Sequence, residues 1–188
     1  EVRLKNRPPD LLLWQTGIGI ANAHEATERL LEQHRPHLII CAGYAAGLGA
    51  SLKVGDLVVP TEVISEAGDR MAPDAASRAR LVETRGRNGT PYKEGPLLTV
   101  WNLLKTPAEK EIVATRHGAV AGDMETAAVA AVAVKNQVPW LSLRVVFDPL
   151  GEELNPRSLW HLPKMILWHF RCQKTLTRAL SSFLSHPS

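Results

Sequence analysis

The chain is predicted to be an α/β domain, on three observations. Short apolar runs alternate with helical patterns along its length, the order that builds a sheet flanked by helices. Two of those runs, HLIICAG (37–43) and VPWLSLRVVFD (138–148), are apolar almost throughout, as strands buried on both faces are. Thirteen glycines and thirteen prolines in 188 residues supply the tight connections that such an alternation needs. A chain of this length holds one domain with a good core and is short for two, so residues 1–188 are read as a single domain.

Each element has its own signal. LLLWQ (11–15) reads as a strand that turns at TGIG into a helix from about Asn22 to His34, with Ala23, Ala26, Leu30 and Leu31 on one face. HLIICAG is a buried strand, followed by AAGLGAS (45–51) as a glycine-rich loop. VGDLVVPTEVIS (54–65) is a strand entered through a Gly-Asp turn, and the polar stretch 65–95 reads as loop, helix, loop. PLLTV (96–100) is a strand and PAEKEIVATRHG (107–118) a helix closed by its glycine. AVAGDM (119–124) is a short strand into a helix from Glu125 to Lys135, and 138–148 is the last strand. Two helical stretches follow, about Ser158–Phe170 and Cys172–Leu184.

Bulk properties narrow the function classes. A net charge of +3 does not call for nucleic acid. Cys41 and Cys172 lie far apart in no pattern, which suits a reducing cytosol better than a disulfide scaffold. No stretch approaches the ~18 apolar residues of a membrane span, and EVRLKNRPPD does not read as a signal peptide, so a cytoplasmic domain is expected. His34 and His37 are separated by Pro36, which breaks any helix that would align them, and the other histidines are scattered. No metal and no cofactor are therefore expected; the dinucleotide pattern G-x-G-x-x-G is absent as well.

The stretch AGDMETAAVA (121–130) sets two carboxylates and a methionine before a helix of small apolar residues. Asp123 reads as a helix cap, with Glu125 in a first turn that favours acids. Capping leaves Met124 and Glu125 less well explained, because they stand where a strand meets a helix start, the edge at which open α/β sheets bind ligands. A carboxylate there can accept two hydroxyls at once, as a ribose diol requires. Asp148 emerges from a buried strand before Pro149, where it is either a turn residue or an acid whose burial raises its pKa. The spacing of 148 − 125 = 23 residues is one helix plus one strand, so both acids are expected to reach the same edge of the sheet. Arg144, inside the same strand, reads as the partner of a core carboxylate. The small residues of CAGYAAGLGASLKVGD either admit a ligand close to the backbone or pack loop on helix.

TGIGIANA, CAGYAAGLGASLKVGDLVVP, GDMETAAVA and VPWLSLRVVFDP together resemble the nucleoside phosphorylase/hydrolase family, in order and spacing, from about Leu11 to Glu153. The family includes methylthioadenosine/S-adenosylhomocysteine nucleosidases and purine nucleoside phosphorylases. The DMEtxAVA form, the Asp-Pro after the last strand and the basic tail look most like the branch that removes adenine from adenosylhopane in hopanoid biosynthesis. The resemblance implies a three-layer α/β/α fold with a central mixed sheet, a homo-oligomer, and cleavage of the N-glycosidic bond of a 5′-substituted adenosine. It implies that Met124 packs on the sugar, Glu125 holds its hydroxyls and Asp148 protonates N7 of the leaving purine. Tyr44 and Ala45, in the glycine-rich segment, would flank the substrate. Trp101 and Leu104, in the segment that closes over the base in the family, are candidates for the purine pocket, and a core role stands beside that reading for both.

Two departures matter. Family phosphorylases carry an arginine before the glycine-rich loop and a serine or threonine after its first glycine, where this chain has Cys41 and Tyr44. Cys41 brings no charge to an anion, which favours water over phosphate as nucleophile. The family's first strand, with the acid that activates the water, has no counterpart in EVRLKNRPPD. A truncated form, a rebuilt fold and a dimer partner that supplies the strand are the alternatives. Two rival readings of the whole chain stand beside the adenosylhopane one: a purine nucleoside phosphorylase or methylthioadenosine/S-adenosylhomocysteine nucleosidase, and a truncated, non-catalytic nucleoside-binding homologue. Residues 154–188 carry five Lys or Arg and no acid. That basic helical tail reads either as a helix docked on the domain or as a surface for peripheral contact with an anionic membrane.

Overall fold

The computed structural model describes residues 2–4, 11–87, 92–153 and 162–185. Strand β1 (Val2–Leu4) pairs antiparallel with β2 (Leu11–Leu13) in a two-stranded ribbon of its own. Then follow α1 (Ile20–Gln33), β3 (Ile39–Gly47), β4 (Leu57–Ser65), β5 (Arg70–Met71), α2 (Ala75–Arg87) and β6 (Tyr92–Thr99). The remaining elements are α3 (Pro107–His117), β7 (Ala121–Asp123), α4 (Thr126–Lys135), β8 (Trp140–Asp148) and α5 (Leu162–Leu184). Strands β3 to β8 make one mixed sheet in the order β5-β4-β6-β7-β3-β8, and a short antiparallel contact between β4 and β8 curls it back on itself.

Alternation along the central strands divides the core in two. Val58, Trp140 and Val146 face α1 and α4, whereas Leu57, Val59, Leu141, Leu143 and Val145 face α2 and α5. Period-2 burial on both faces accounts for the continuous apolar run 138–148. It does not hold for HLIICAG, expected as a buried strand: of 37–43 only Ile39 is buried, because from Ile39 to Ala45 this strand has a strand neighbour on one side alone among the described residues. Helices thus cover both faces of the sheet, as the predicted α/β/α fold requires. A third apolar cluster, with Leu48, Ile64, Leu98 and Leu104, packs under α3.

Tertiary pairing moved several boundaries. Strand β3 runs on through Gly47, into residues read as loop, because Ala46 and Gly47 pair with Gly122 and Ala121 of β7. A Cβ at Gly47 would stand 3.1 Å from Val146 Cγ1, tighter than ordinary van der Waals contact, so a side chain there would have to push Val146 aside by a few tenths of an ångström. The stretch 65–95 holds more than one helix: β5 doubles back on the end of β4, and β6 starts at Tyr92 because Leu57 to Pro60 of β4 offer a parallel ladder to polar residues. The two C-terminal helices expected are one continuous helix over Leu162–Leu184, anchored midway by buried Cys172, whose Sγ donates to the Val146 carbonyl at 3.2 Å. The part of that expectation covering 158–161 lies outside the described residues. Among the described residues no helix is long and apolar enough to cross a membrane.

Strand β3 pairs with β8 from Ile39 to Ala46 but with β7 only at Ala46 and Gly47. From Ile39 to Ala45 its second edge therefore has no strand partner among the described residues. This is the edge left when the sheet lacks a strand beside β3, and β2, held in its ribbon with β1, does not fill it.

Candidate active site

Register places the two candidate acids. Ala46 of β3 pairs with Gly122 of β7 on one side and with Asp148 of β8 on the other. The ends of β7 and β8 thus stand at one level, two strand spacings or roughly 10 Å apart. They do not share a carboxyl edge, since β7 runs antiparallel to β3 while β8 runs parallel to it. A cavity of about 1640 Å³ opens there and continues along the unpaired edge of β3. Met124, Glu125, Tyr44, Ala45, Leu104 and Asp148 all line it. Trp101 does not: it is 61% exposed, its backbone N–H donating to Glu66 Oε2, so neither a stacking face in the cavity nor a place in the core describes it.

Asp123 is the hub of a buried polar network. Its Oδ2 accepts from the Thr126 backbone N–H at 3.0 Å and from the Thr126 hydroxyl, and forms an ion pair with Arg144, whose Nη2 lies 2.6 Å away. Its Oδ1 accepts from Thr99 Oγ1 at 2.6 Å, and Thr99 Oγ1 in turn accepts the Ala127 N–H. The first two N–H groups of α4 are thereby satisfied, one by Asp123 and one by Thr99; the N-cap position itself is Glu125, whose side chain makes no cap bond, so Asp123 shares the task from two residues before it. Arg144 also donates to Thr126 Oγ1 and to Cys41 Sγ, the latter at 3.0 Å. Burial opposes the charge of Arg144, but Asp123, Cys41 and Glu125 outweigh it and raise its pKa. Burial pushes the Cys41 thiol up, against the pull of Arg144, so Cys41 stays neutral.

Glu125 is held from two sides. Its Oε1 accepts the Gly19 backbone N–H at 2.9 Å, and its Oε2 lies 3.7 Å from Arg144 Nη1. Gly17 and Gly19 have φ of 81° and 94°, conformations that favour glycine, so the TGIG turn exists to bring the start of α1 against Glu125. Met124, half-buried, packs against the cluster under α3. Tyr44 stacks on Phe147 with centroids 5.2 Å apart, and its hydroxyl lies 2.9 Å from His169 Nδ1 of α5. Among the described residues no three His, Cys, Asp or Glu side chains form a metal-holding group.

Asp148 is 4% exposed and burial raises its pKa to about 6, the neighbouring Lys110 acting to lower it. Lys110 is fully buried, with Nζ 2.9 Å from Asp148 Oδ2. Sequence reasoning missed it. The available signal was its position on the apolar face of α3, in step with Val113 and Ala114, where a lysine needs an anion or carbonyls to satisfy it.

Gly43 tests the packing of this network. A Cβ there would stand 2.3 Å from Arg144 Nη1, at the far end of a side chain that its partners hold in place. Gly43→Ala is expected to displace the guanidinium and destabilise the chain by about 1–3 kcal/mol, the usual cost of overpacking. Urea denaturation of the two proteins measures it, and equal midpoints would show that Arg144 is free to shift.

Comparison with known proteins agrees with this architecture. The phosphorylase superfamily matches residues 9–164. A 5′-methylthioadenosine/S-adenosylhomocysteine nucleosidase of Geobacillus sp. (strain WCH70) is 32% identical over 164 residues, covering 78% of this chain and 71% of the relative. The enzyme of the same description from Anoxybacillus flavithermus is 30% identical with the same coverage. Among solved structures, the Helicobacter pylori 5′-methylthioadenosine/S-adenosylhomocysteine nucleosidase with butyl-thio-DADMe-Immucillin-A shares the fold at a TM-score of 0.83 and 18% identity, over 97% of this chain and 83% of that one. Futalosine hydrolase of the same organism follows at 0.79 and 20%, over 90% and 77%. With a match across most of its length and the mixed sheet to go with it, the chain belongs to the phosphorylase superfamily.

Proposed function

We propose that this chain cleaves the N-glycosidic bond of a 5′-substituted adenosine and releases adenine, with water as the nucleophile. The carrying observation is that one cavity is lined both by a buried acid, Asp148, and by a carboxylate fixed from two sides, Glu125. Breaking the bond builds positive charge on the sugar and negative charge on the base. Glu125 accepts the ribose hydroxyls and offsets the first; Asp148 gives its proton to N7 and neutralises the second. Met124 packs on the sugar, Tyr44 and Ala45 wall the cavity beside it, and Leu104 contributes an apolar side. Water is favoured over phosphate by charge: Arg144 is already matched to two carboxylates, Asp123 and Glu125, and Cys41 is neutral. An anion there would find no free cation in the cluster around Arg144.

The relatives' names favour a small 5′ thioether, as in methylthioadenosine or S-adenosylhomocysteine. One observation favours a large apolar group, such as the hopanyl of adenosylhopane: Leu162, Ile166, Leu167 and Phe170 are exposed on α5, whose Trp168 and His169 pack on Phe147 and Tyr44 at the cavity. Lys164, Arg171, Lys174 and Arg178 lie on the same helix, which carries no acid, and would face an anionic membrane. Adenine release is to be measured from adenosines with methylthio and with long alkyl 5′ groups, with and without phosphate, alongside liposome sedimentation at low salt. Phosphate-independent release is expected. Faster turnover of the long-chain substrate, with binding to anionic vesicles, supports the hopanoid-type reading; preference for methylthioadenosine and no vesicle binding ends it. A folded chain that binds adenine and releases none from any substrate would make it a non-catalytic binder.

A further inference from the structure

Lys110 is a buried charge beside the site that the proposed chemistry does not use. Its side chain is fully buried, and Nζ donates to the carbonyls of Pro149 at 2.9 Å and Glu152 at 2.8 Å, with the Asp148 carbonyl at 3.5 Å. The same nitrogen stands 2.9 Å from Asp148 Oδ2, at an angle too oblique for a hydrogen bond. One ammonium therefore ties down the turn after β8 by its hydrogens and faces the carboxyl by its charge. A buried lysine is expensive, and a turn could be closed by a neutral donor at less cost. The placement suits a group that must act on Asp148.

We propose that Lys110 is a positioning residue for the acid Asp148: it holds the 148–152 turn, keeps Oδ2 turned toward itself, and stabilises the carboxylate left when the proton goes to the purine. This rests on the reading of Asp148 as that acid. The step balances as follows. The proton leaves Asp148 for N7, the electron pair of the broken N9–C1′ bond remains on the base, and C1′ takes the oxygen of a water, whose own proton is released. Asp148 ends as a carboxylate beside an ammonium, so Lys110 strengthens the acid at the moment it ionises. Other groups near Asp148 do not compete for this role. Cys172 of α5 is pushed up to about 11 by burial and stays a neutral thiol, and the Glu152 side chain turns outward to Lys164, 2.6 Å away.

Two measurements test it. In the unmodified chain labelled with ¹⁵N-lysine, the protected Nζ signal of Lys110, assigned by its loss in Lys110→Arg, is expected to follow the ionisation of Asp148 near pH 6. A signal flat from pH 4 to 8 overturns the proposal, and this readout needs neither activity nor a destabilised variant. In Lys110→Met the pH at which kcat falls is expected to move up by about 1–3 pH units, the usual effect of losing an opposite charge. Its kcat is expected to drop at least about tenfold with KM nearly unchanged, whereas Lys110→Arg, which keeps the charge, holds the limb in place. An unmoved limb in Lys110→Met makes Lys110 structural and overturns the proposal. A folded chain that releases no adenine while the Lys110 signal still follows Asp148 refutes the functional reading alone and upholds the pairing.

Discussion

Asp148→Asn is expected to cut adenine release by about 10²–10⁴-fold with little change in KM, the contribution typical of a positioned general acid. The asparagine keeps the shape of the side chain but has no proton to give to N7. The unmodified chain should also show a pH signature. Burial raises Asp148 from 3.8 to about 6, so the carboxyl is protonated below that value, and kcat is expected to fall about tenfold per unit as pH rises through it. The variant should lack that limb. Stability carries the same signature with its sign fixed by linkage. The native carboxyl binds its proton more tightly than the unfolded one, so ionisation works against folding. The contribution is fully present below about pH 4 and is lost between about pH 4 and 6, amounting to about 3 kcal/mol. Denaturation at several pH values checks it: the unmodified chain should weaken across that window and Asp148→Asn should not. Equal turnover by the two proteins would remove Asp148 from the mechanism.

Replacing Arg144 by methionine should be the most damaging change for the fold. The guanidinium is 3% exposed and holds Asp123, Glu125, Thr126 and Cys41 together. Its loss leaves two carboxylates without their cation, and breaking such a buried pair costs about 3–5 kcal/mol. For a chain of this size that corresponds to a fall in Tm of about 6–20 °C. Arg144→Lys should recover only part, because one ammonium cannot reproduce the planar fork that reaches Thr126, Cys41 and Asp123 at once. Adding Asp123→Asn to Arg144→Met should restore some stability, since the carboxylate left unpaired is then gone. A melting temperature within about 2 °C of the unmodified chain would mean that the network contributes little to the fold.

How much of this could be read beforehand depended on where the signal lies. Strands such as 138–148 and the helix after Glu125 were legible because burial on both faces writes a continuous apolar run, and small residues mark close packing. Met124, Glu125, Tyr44, Ala45, Leu104 and Asp148 do meet at one cavity, and the motif positions pointed to them. Trp101 was misplaced because an aromatic residue after a strand looks the same in sequence whether its ring turns in or out. The single helix α5 was read as two because the polar residues near Arg171 resemble a break, while the Cys172 anchor that carries the helix through is visible only in contact with Val146.

The sequence by itself determined the alternation of strands and helices, the two-faced burial of the central sheet and the acids at the strand ends, since each is a local pattern of apolar and polar residues. The tertiary structure alone decided which charges meet. Lys110 finds Asp148 across 38 residues, Arg144 finds Cys41 across 103, and Glu125 finds Gly19 across 106. A buried charge is satisfied by whatever the fold brings within about 3 Å of it, and partners so far apart along the chain leave no periodicity to read.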